Sequence, residues 1–247
     1  MSRAGALSSF FPEIEIDNFT ARDGTVEFYG KVVPLLHPDD RVLDFGAGRA
    51  AWYGQDDSKF RSSLRDLRNF AKHVVACDVD AAVLENPCAH EVVQIDQGEK
   101  LPFDDASFDL IVSDYVFEHI VDPGLVCREL ERLIKPGGWI CARTPNRYAY
   151  ISMLTRMIHN SRHVRFLSIL QPEREEVDVF PTVFKLNSVR QLEAYFPSCR
   201  VGNFTYRYEP EPAYFGNSRL LLCLLLAVNW LVPPVMRTSL HVFLQKI

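Results

Sequence analysis

No excess of basic residues marks this chain. Its 27 Lys and Arg stand against 32 Asp and Glu, a formal net charge of −5 over 247 residues. A general nucleic-acid binder draws most of its non-specific affinity from neutralising phosphates, so no nucleic-acid partner is expected. The six cysteines (Cys77, Cys88, Cys127, Cys141, Cys199 and Cys223) form no CxxC pair and no close cluster with histidine. Reduced, buried thiols are therefore expected rather than a disulfide framework, and no metal site is assigned. The first residues hold no apolar core of signal-peptide length and turn acidic by Glu13, which predicts a cytoplasmic protein. Twelve glycines and fifteen prolines are too few for a collagenous or low-complexity chain.

Long hydrophobic runs are also scarce. The longest, Leu220 to Val235, is interrupted by Asn229 and broken at Pro233-Pro234. A membrane span needs about 20 apolar residues, so a buried helix over Leu220 to Val232 is expected in preference to a membrane-contacting one. Acids are missing locally as well. Arg132 to Pro172 holds no Asp or Glu, yet carries Arg132, Lys135, Arg143, Arg147, Arg156, Arg162 and Arg165. That stretch offers a face for an anionic acceptor or lipid headgroups, or a solvated face paired with Glu173, Glu175 and Glu176.

What the chain does contain is alternation. Arg41 to Phe45, His73 to Asp78, Glu91 to Ile95, Phe108 to Ser113 and Trp139 to Thr144 are short, nearly continuous apolar runs rich in β-branched residues. Such runs read as strands covered on both faces. Between them, Ser58 to Ala71 places Phe60, Leu64, Leu67 and Phe70 at helical spacing. A second helix is signalled by Asp122 as N-cap and Pro123 at its first position, with Gly137-Gly138 expected to end it. Further helices are expected within 146–171 and over Leu186 to Phe196, and strands over Val201 to Tyr208 and Leu240 to Gln245. Together these predict an α/β fold: a Rossmann-like, doubly wound sheet of seven mostly parallel strands with helices on both faces. Ligands of such sheets bind at the carboxyl ends of the strands.

The strongest signal is Asp44-Phe45-Gly46-Ala47-Gly48-Arg49-Ala50. Gly46 and Gly48 let the backbone turn sharply and approach a ligand closely. Dinucleotide-binding folds use the same device, but a pyrophosphate would be repelled by Asp44, whereas an ammonium or hydroxyl group suits it. This strand and turn resembles the first motif of class I S-adenosylmethionine-dependent methyltransferases, and the likeness continues in order. Asp78 closes the second strand, and Asp96-Gln97 follows the third. Leu101-Pro102-Phe103, Ser107 to Ser113, Glu118-His119, Asp122, Leu133 to Gly138 and Thr144-Pro145-Asn146 resemble the small-molecule methyltransferases.

The resemblance implies a single domain over 1–247, with a cofactor-binding core at about 25–146 and an acceptor-binding and C-terminal sheet region at about 147–247. It also implies an antiparallel C-terminal strand. Its cofactor is S-adenosyl-L-methionine, with S-adenosyl-L-homocysteine as product. The implied cofactor residues are Asp44, Gly46, Gly48, Arg49, Asp78, Val79, Asp96, Gln97 and Asp114. Asp44 contacts the methionine end and Arg49 balances its carboxylate. Asp78 accepts the ribose hydroxyls, and Asp96 or Gln97 faces the adenine.

Methyl transfer from a sulfonium depends mainly on alignment, but a hydroxyl acceptor needs a base. His119, just after the fourth strand, is the candidate; the alternative is that it and Glu118 only orient the loop. Phe28 or Tyr29, on a helix expected near 23–29, can shield the sulfonium or simply pack in the core. The acceptor is a small molecule, with sugars and lipid-linked or isoprenoid compounds as candidates. Peripheral membrane contact stays open, as do an NAD(P)-dependent oxidoreductase and a non-catalytic S-adenosylmethionine-binding module.

Overall fold

The computed structural model describes residues 3–150, 182–213, 215 and 218–247. Five parallel strands form the first part of its sheet: β1 (Arg41–Phe45), β2 (His73–Asp78), β3 (Glu91–Gln94), β4 (Phe108–Asp114) and β5 (Ile134–Pro145). Their order is β3-β2-β1-β4-β5, so strand order reverses between β1 and β4. The glycine turn leaves β1 at that reversal, where open α/β sheets hold their ligands.

β8 (Ser239–Lys246) lies antiparallel to β5, and β6 (Val201–Asn203) and β7 (Tyr206–Tyr208) both pair antiparallel with β8. Among the described residues the sheet therefore has eight strands rather than seven. The expected strand over Val201 to Tyr208 is split at Phe204-Thr205, where Phe204 N–H bonds to the Phe243 carbonyl and Thr205 N–H to the Asn203 side chain.

Both faces of the sheet are covered, as the patterning predicts. On one face α3 (Gly24–Val32) buries Phe28, Tyr29 and Val32 against Val42, Leu110, Val112 and Phe243. On the other, α5 (Pro123–Leu133) and α6 (Val189–Tyr195) bring Cys127, Leu130, Leu133 and Leu192 onto Leu43, Ile111 and Val242. Asp122 caps α5 through the Leu125 N–H, and Ser188 caps α6 through the Gln191 N–H. α4 (Lys59–Arg65) is capped by Ser58 and ends earlier than expected. Asp66 then caps a single 3-10 turn at Leu67–Asn69. The short helices α1 (Arg3–Leu7) and α2 (Ile14–Asp17) pack with α7 (Arg219–Leu231) in a separate apolar cluster of Ala6, Leu7, Ile14, Phe215 and Leu222.

Three further expectations are corrected. α5 does not run to Gly137-Gly138: it stops at Leu133, and Ile134 passes straight into β5. The two glycines serve an irregularity in the β4–β5 pairing instead. Gly137 has φ +80°, and a Cβ on Gly138 would stand 2.7 Å from the Asp109 carbonyl. α7 is not a buried helix, since only Leu222 in it is buried while Leu220, Leu224, Trp230 and Leu231 are exposed. Cys199 and Cys223 are exposed; the other four thiols are buried as expected, and all six are free.

The basic run, finally, is largely neutralised where it is described. Arg132 pairs with Glu129 and Asp105, Lys135 with Asp109 and Arg143 with Asp114. Arg156, Arg162, Arg165 and most of the helical segment expected within 146–171 lie outside the described residues.

Candidate active site

The turn after β1 is drawn toward β2 by its own backbone. Gly46 and Ala47 N–H both donate to the Cys77 carbonyl, at 2.8 and 3.2 Å. Gly46 has φ +77°, and a Cβ there would meet Val116 Cγ2 at 2.3 Å, so no other residue fits. Gly48, at φ +51°, has no atom closer to its Cβ position than Asp78 Oδ2 at 4.0 Å. Its requirement is conformational, and the space above it is open. Arg49 follows in the same turn, partly buried.

Asp78 is held by two backbone donors. Gly48 N–H reaches Oδ2 at 2.9 Å and Asp80 N–H reaches Oδ1 at 3.0 Å. Each oxygen keeps acceptor capacity for one more proton, which fits a pair of vicinal hydroxyls. Asp80, not Asp78, caps the following 3-10 turn through the Ala82 N–H. Val79 is exposed beside Asp78, and its carbonyl accepts from Gln94 Nε2 at 3.3 Å. Asp96 and Gln97 are exposed just beyond β3, in a turn that reaches φ +83° at Gly98. The neighbouring Leu101-Pro102-Phe103 segment is fastened to α5. Glu129 accepts the Leu101 N–H, while Arg132 donates to the Leu101 and Phe103 carbonyls.

Asp44 alternates with Leu43 and so faces α3. Among the described residues its carboxylate accepts no hydrogen bond. Burial, then repulsion from Asp114, push its carboxyl up to about 7 from an ordinary 3.8, with Asp78 adding in the same direction and Arg65 opposing. A desolvated carboxylate without a partner is the arrangement that a ligand's ammonium group would relieve. With the open glycine turn and the pre-aimed Asp78, these residues fit a cofactor carrying an ammonium, ribose hydroxyls and an adenine.

Asp114 ends β4 on the same face, but its carboxylate already has a task. Arg143 grips it with Nε and Nη2, both at 2.7 Å. Arg143 is buried, donates its third bond from Nη1 to Thr25 Oγ1 at 2.8 Å and lies over the Tyr115 ring. The guanidinium offsets the desolvation that burial imposes and holds the Asp114 carboxyl below the usual carboxylate range. Tyr29 Oη lies 3.5 Å from Asp114 Oδ2, which with the burial of Phe28 makes both aromatic rings part of the core beneath the site.

Arg65, at the end of α4, was not singled out by sequence. Its guanidinium lies 4.4 Å from the Trp52 ring centroid and 3.9 Å from Asp114 Oδ2, too far for a hydrogen bond. Its Nε is buried with no hydrogen-bond partner. No motif marks Arg65; only the fold brings the tip of α4 beside Asp114.

His119 ends a 3-10 turn, Phe117–His119, after β4. It is partly exposed, with Nε2 3.9 Å from Glu118 Oε1. Glu118 is buried and bridges elements. Its Oε2 accepts from Thr144 Oγ1 at 2.8 Å, and Thr144 in turn accepts from Asn187 Nδ2 at 2.6 Å. Its backbone carbonyl accepts the Val183 and Phe184 N–H groups. Burial raises the Glu118 carboxyl above its ordinary value. Glu118 thus orients the loop, while His119 keeps an edge toward solvent.

A family model described as a methyltransferase domain matches residues 59–142. A probable S-adenosylmethionine-dependent methyltransferase of Mycobacterium tuberculosis is 30% identical over 143 residues, 56% of this chain and 47% of that protein. A demethylmenaquinone methyltransferase of Mycolicibacterium vanbaalenii is 30% identical over 104 residues, 42% of this chain and 41% of that protein. Over these stretches the chain is similar to S-adenosylmethionine-dependent methyltransferases. It spans about half or less of the length of the curated relatives it matches.

Solved structures share the methyltransferase fold at low identity. A methyltransferase from Methanosarcina mazei has a TM-score of 0.52 and 17% identity, covering 88% of this chain and 97% of that one. The cyclase SpnF has a TM-score of 0.54 and 14% identity, covering 89% and 80%. The relatives' named cofactor is S-adenosylmethionine, and the stretch matched by the family model starts beyond the glycine turn. The assignment of Asp44, Gly46 and Gly48 therefore rests on their own geometry.

Proposed function

We propose that the chain transfers the activated methyl group of S-adenosylmethionine to a small-molecule acceptor. The observation that carries this is the unpartnered Asp44 carboxylate at the glycine turn, with Asp78 pre-aimed beside it. When bound, the cofactor supplies a methyl group on a sulfonium, with a thioether as leaving group. Asp44 accepts from the α-ammonium, and Asp78 takes the two ribose hydroxyls. Arg65, whose Nε lacks a partner, is the cation we assign to the α-carboxylate, in addition to Arg49. Asp96 or Gln97 meets the adenine at the rim. Asp114 acts indirectly, by fixing Arg143 under α3.

His119 is the proposed general base where the acceptor is a hydroxyl, held in place by the Glu118–Thr144–Asn187 chain. The segment 147–247 is the proposed source of acceptor specificity. The 30%-identical relative named for demethylmenaquinone keeps isoprenoid and lipid-linked acceptors among the candidates, beside sugars. A cyclase on this fold shows that architecture alone does not fix the reaction, so binding and turnover need separate measurements.

Calorimetry with S-adenosylmethionine, S-adenosylhomocysteine and NADH tests the cofactor. Micromolar affinity for the adenosyl ligands and none for NADH is expected; the reverse result overturns the proposal. His119→Ala is expected to cut turnover by about 100-fold or more, the scale of general-base catalysis, with S-adenosylhomocysteine affinity unchanged. Equal turnover would return His119 to a structural role. An acceptor for that assay can be found by incubating lipid and aqueous extracts with isotopically labelled cofactor.

A further inference from the structure

α7 is apolar on two sides, and only one of them is used. Leu222 is fully buried, and Leu221, Leu225 and Leu226 pack with it on the cluster formed by α1 and α2. The opposite side carries Leu220, Leu224, Val228 and Leu231 at spacings of four, four and three, one stripe of a helix. Leu220 and Leu231 are 74% and 71% exposed, and Trp230 at the helix end is 82% exposed. Phe10 and Val235 are exposed as well. Isolated exposed leucines need no explanation, but a continuous stripe ending in a tryptophan does.

Along the chain, α7 and the residues that follow it carry charges of one sign. From Pro212 to Ile247 there is no Asp or Glu, while Arg219 opens α7 and Arg237 follows it. The rest of the chain carries the acidic balance. A second copy of this face would bring arginines against arginines, whereas an anionic lipid surface complements them. Tryptophan at a helix end, leucines along one side and flanking arginines suit the boundary between headgroups and acyl chains. No described helix is long and apolar enough to cross a membrane, so the fitting geometry is a helix lying in the plane of the surface.

The position of α7 gives this geometry a consequence. Asn146, just past the carboxyl end of β5, donates from Nδ2 to the Val235 and Arg237 carbonyls at 2.9 and 2.7 Å. Tyr150 Oη donates to Asn229 Oδ1 within α7 at 2.8 Å. On the other side, Asp17 of α2 accepts from Ser58 Oγ and from the Lys59 and Phe60 N–H groups at the start of α4. α7 is thereby tied to the sheet edge from which the glycine turn opens.

We propose that the exposed side of α7 docks on an anionic lipid bilayer, and that the acceptor is a compound resident at that surface. The second clause rests on the proposed methyl transfer; the docking does not.

Flotation with vesicles of phosphatidylcholine mixed with phosphatidylglycerol, and with phosphatidylcholine alone, tests it. Wild-type protein floats with the mixed vesicles and less with the neutral ones. Leu224→Glu is expected to weaken that binding on the order of tenfold or more, the loss of one inserted leucine plus insertion of a charge. Arg219→Glu with Arg237→Glu removes the preference for anionic lipid. Leu224→Glu keeps the wild-type melting curve and S-adenosylhomocysteine affinity, since Leu224 is exposed on α7 and does not touch the cofactor site. Brominated lipid quenches Trp230 fluorescence in the wild type, with Trp230→Phe as control.

Absence of flotation, or flotation of Leu224→Glu equal to wild type, overturns the docking. So does a wild-type dimer that becomes a monomer in Leu224→Glu while lipid binding is unchanged, because the occupant is then a second copy. If the protein floats but binds neither adenosyl ligand, docking stands and methyl transfer fails.

Discussion

Asp44 is the residue at which stability and binding pull in opposite directions. Its carboxyl is raised to about 7 in the folded protein, so the folded state holds a proton that the unfolded state releases at lower pH. Without cofactor, stability is therefore highest below the unfolded value of 3.8 as far as this group is concerned, and is lost as pH rises toward 7. Asp44→Asn is expected to gain about 1–3 kcal/mol near pH 8, the range for a desolvated group without a partner, measured by urea unfolding. The same variant is expected to lose cofactor affinity. In the wild type that affinity should rise with pH up to about 7 and then level off, because only ionised Asp44 attracts an ammonium. A flat affinity profile would remove the carboxylate from the site.

Asp78→Ala is expected to weaken cofactor binding by about 1.5–3 kcal/mol, the range for hydrogen bonds to a charged group, as read by calorimetry. The Gly46-x-Gly48 turn, Asp44 and Asp78 were legible in the sequence because their meaning is local: a strand, a turn and the residue closing the next strand. Arg65 was not. Its place beside Asp114 and on Trp52 depends on where α4 ends and how it packs against α3, which no short pattern encodes.

At the scale of elements, the Asp114–Arg143 pair joins β4 to β5, and Thr25 extends the joint to α3. Removing one partner strands a buried charge. Asp114→Ala is expected to destabilise by about 3–5 kcal/mol in urea unfolding, while replacing both partners by apolar residues of similar volume should cost much less. A loss below about 1 kcal/mol for the single variant would show that water reaches Arg143.

Strand positions were readable to within a residue or two for β1 to β4, because strands covered on both faces are uniformly apolar. The start of β5 was not. Gly137-Gly138 carries the same composition whether it ends a helix or relieves a crowded strand, and the Asp109 carbonyl that decides the matter is distant in sequence. α7 failed for a related reason: a sequence shows how apolar a helix is, not how much of it finds a partner.

At the scale of the whole molecule, the described part of the basic run is locally paired. Arg132, Lys135 and Arg143 are each matched by carboxylates, Arg132 in part by Glu129 of its own helix. Arg219 and Arg237 flank α7 in a stretch, 212–247, that holds no acid. The antiparallel half depends on a single strand: β5, β6 and β7 each pair with β8. Deleting residues 239–247 is expected to abolish cooperative unfolding, as followed by circular dichroism. A truncated chain with a sharp urea transition would show that the parallel half folds alone.

That shared strand also sets a timetable. β8 is the last of the sheet's strands to leave the ribosome, so β5, β6 and β7 emerge before the backbone groups that will complete them. Until then they present unpaired edges, the form in which strands join other chains. Synthesis of this protein thus passes through an interval of adhesiveness that closes only when β8 arrives.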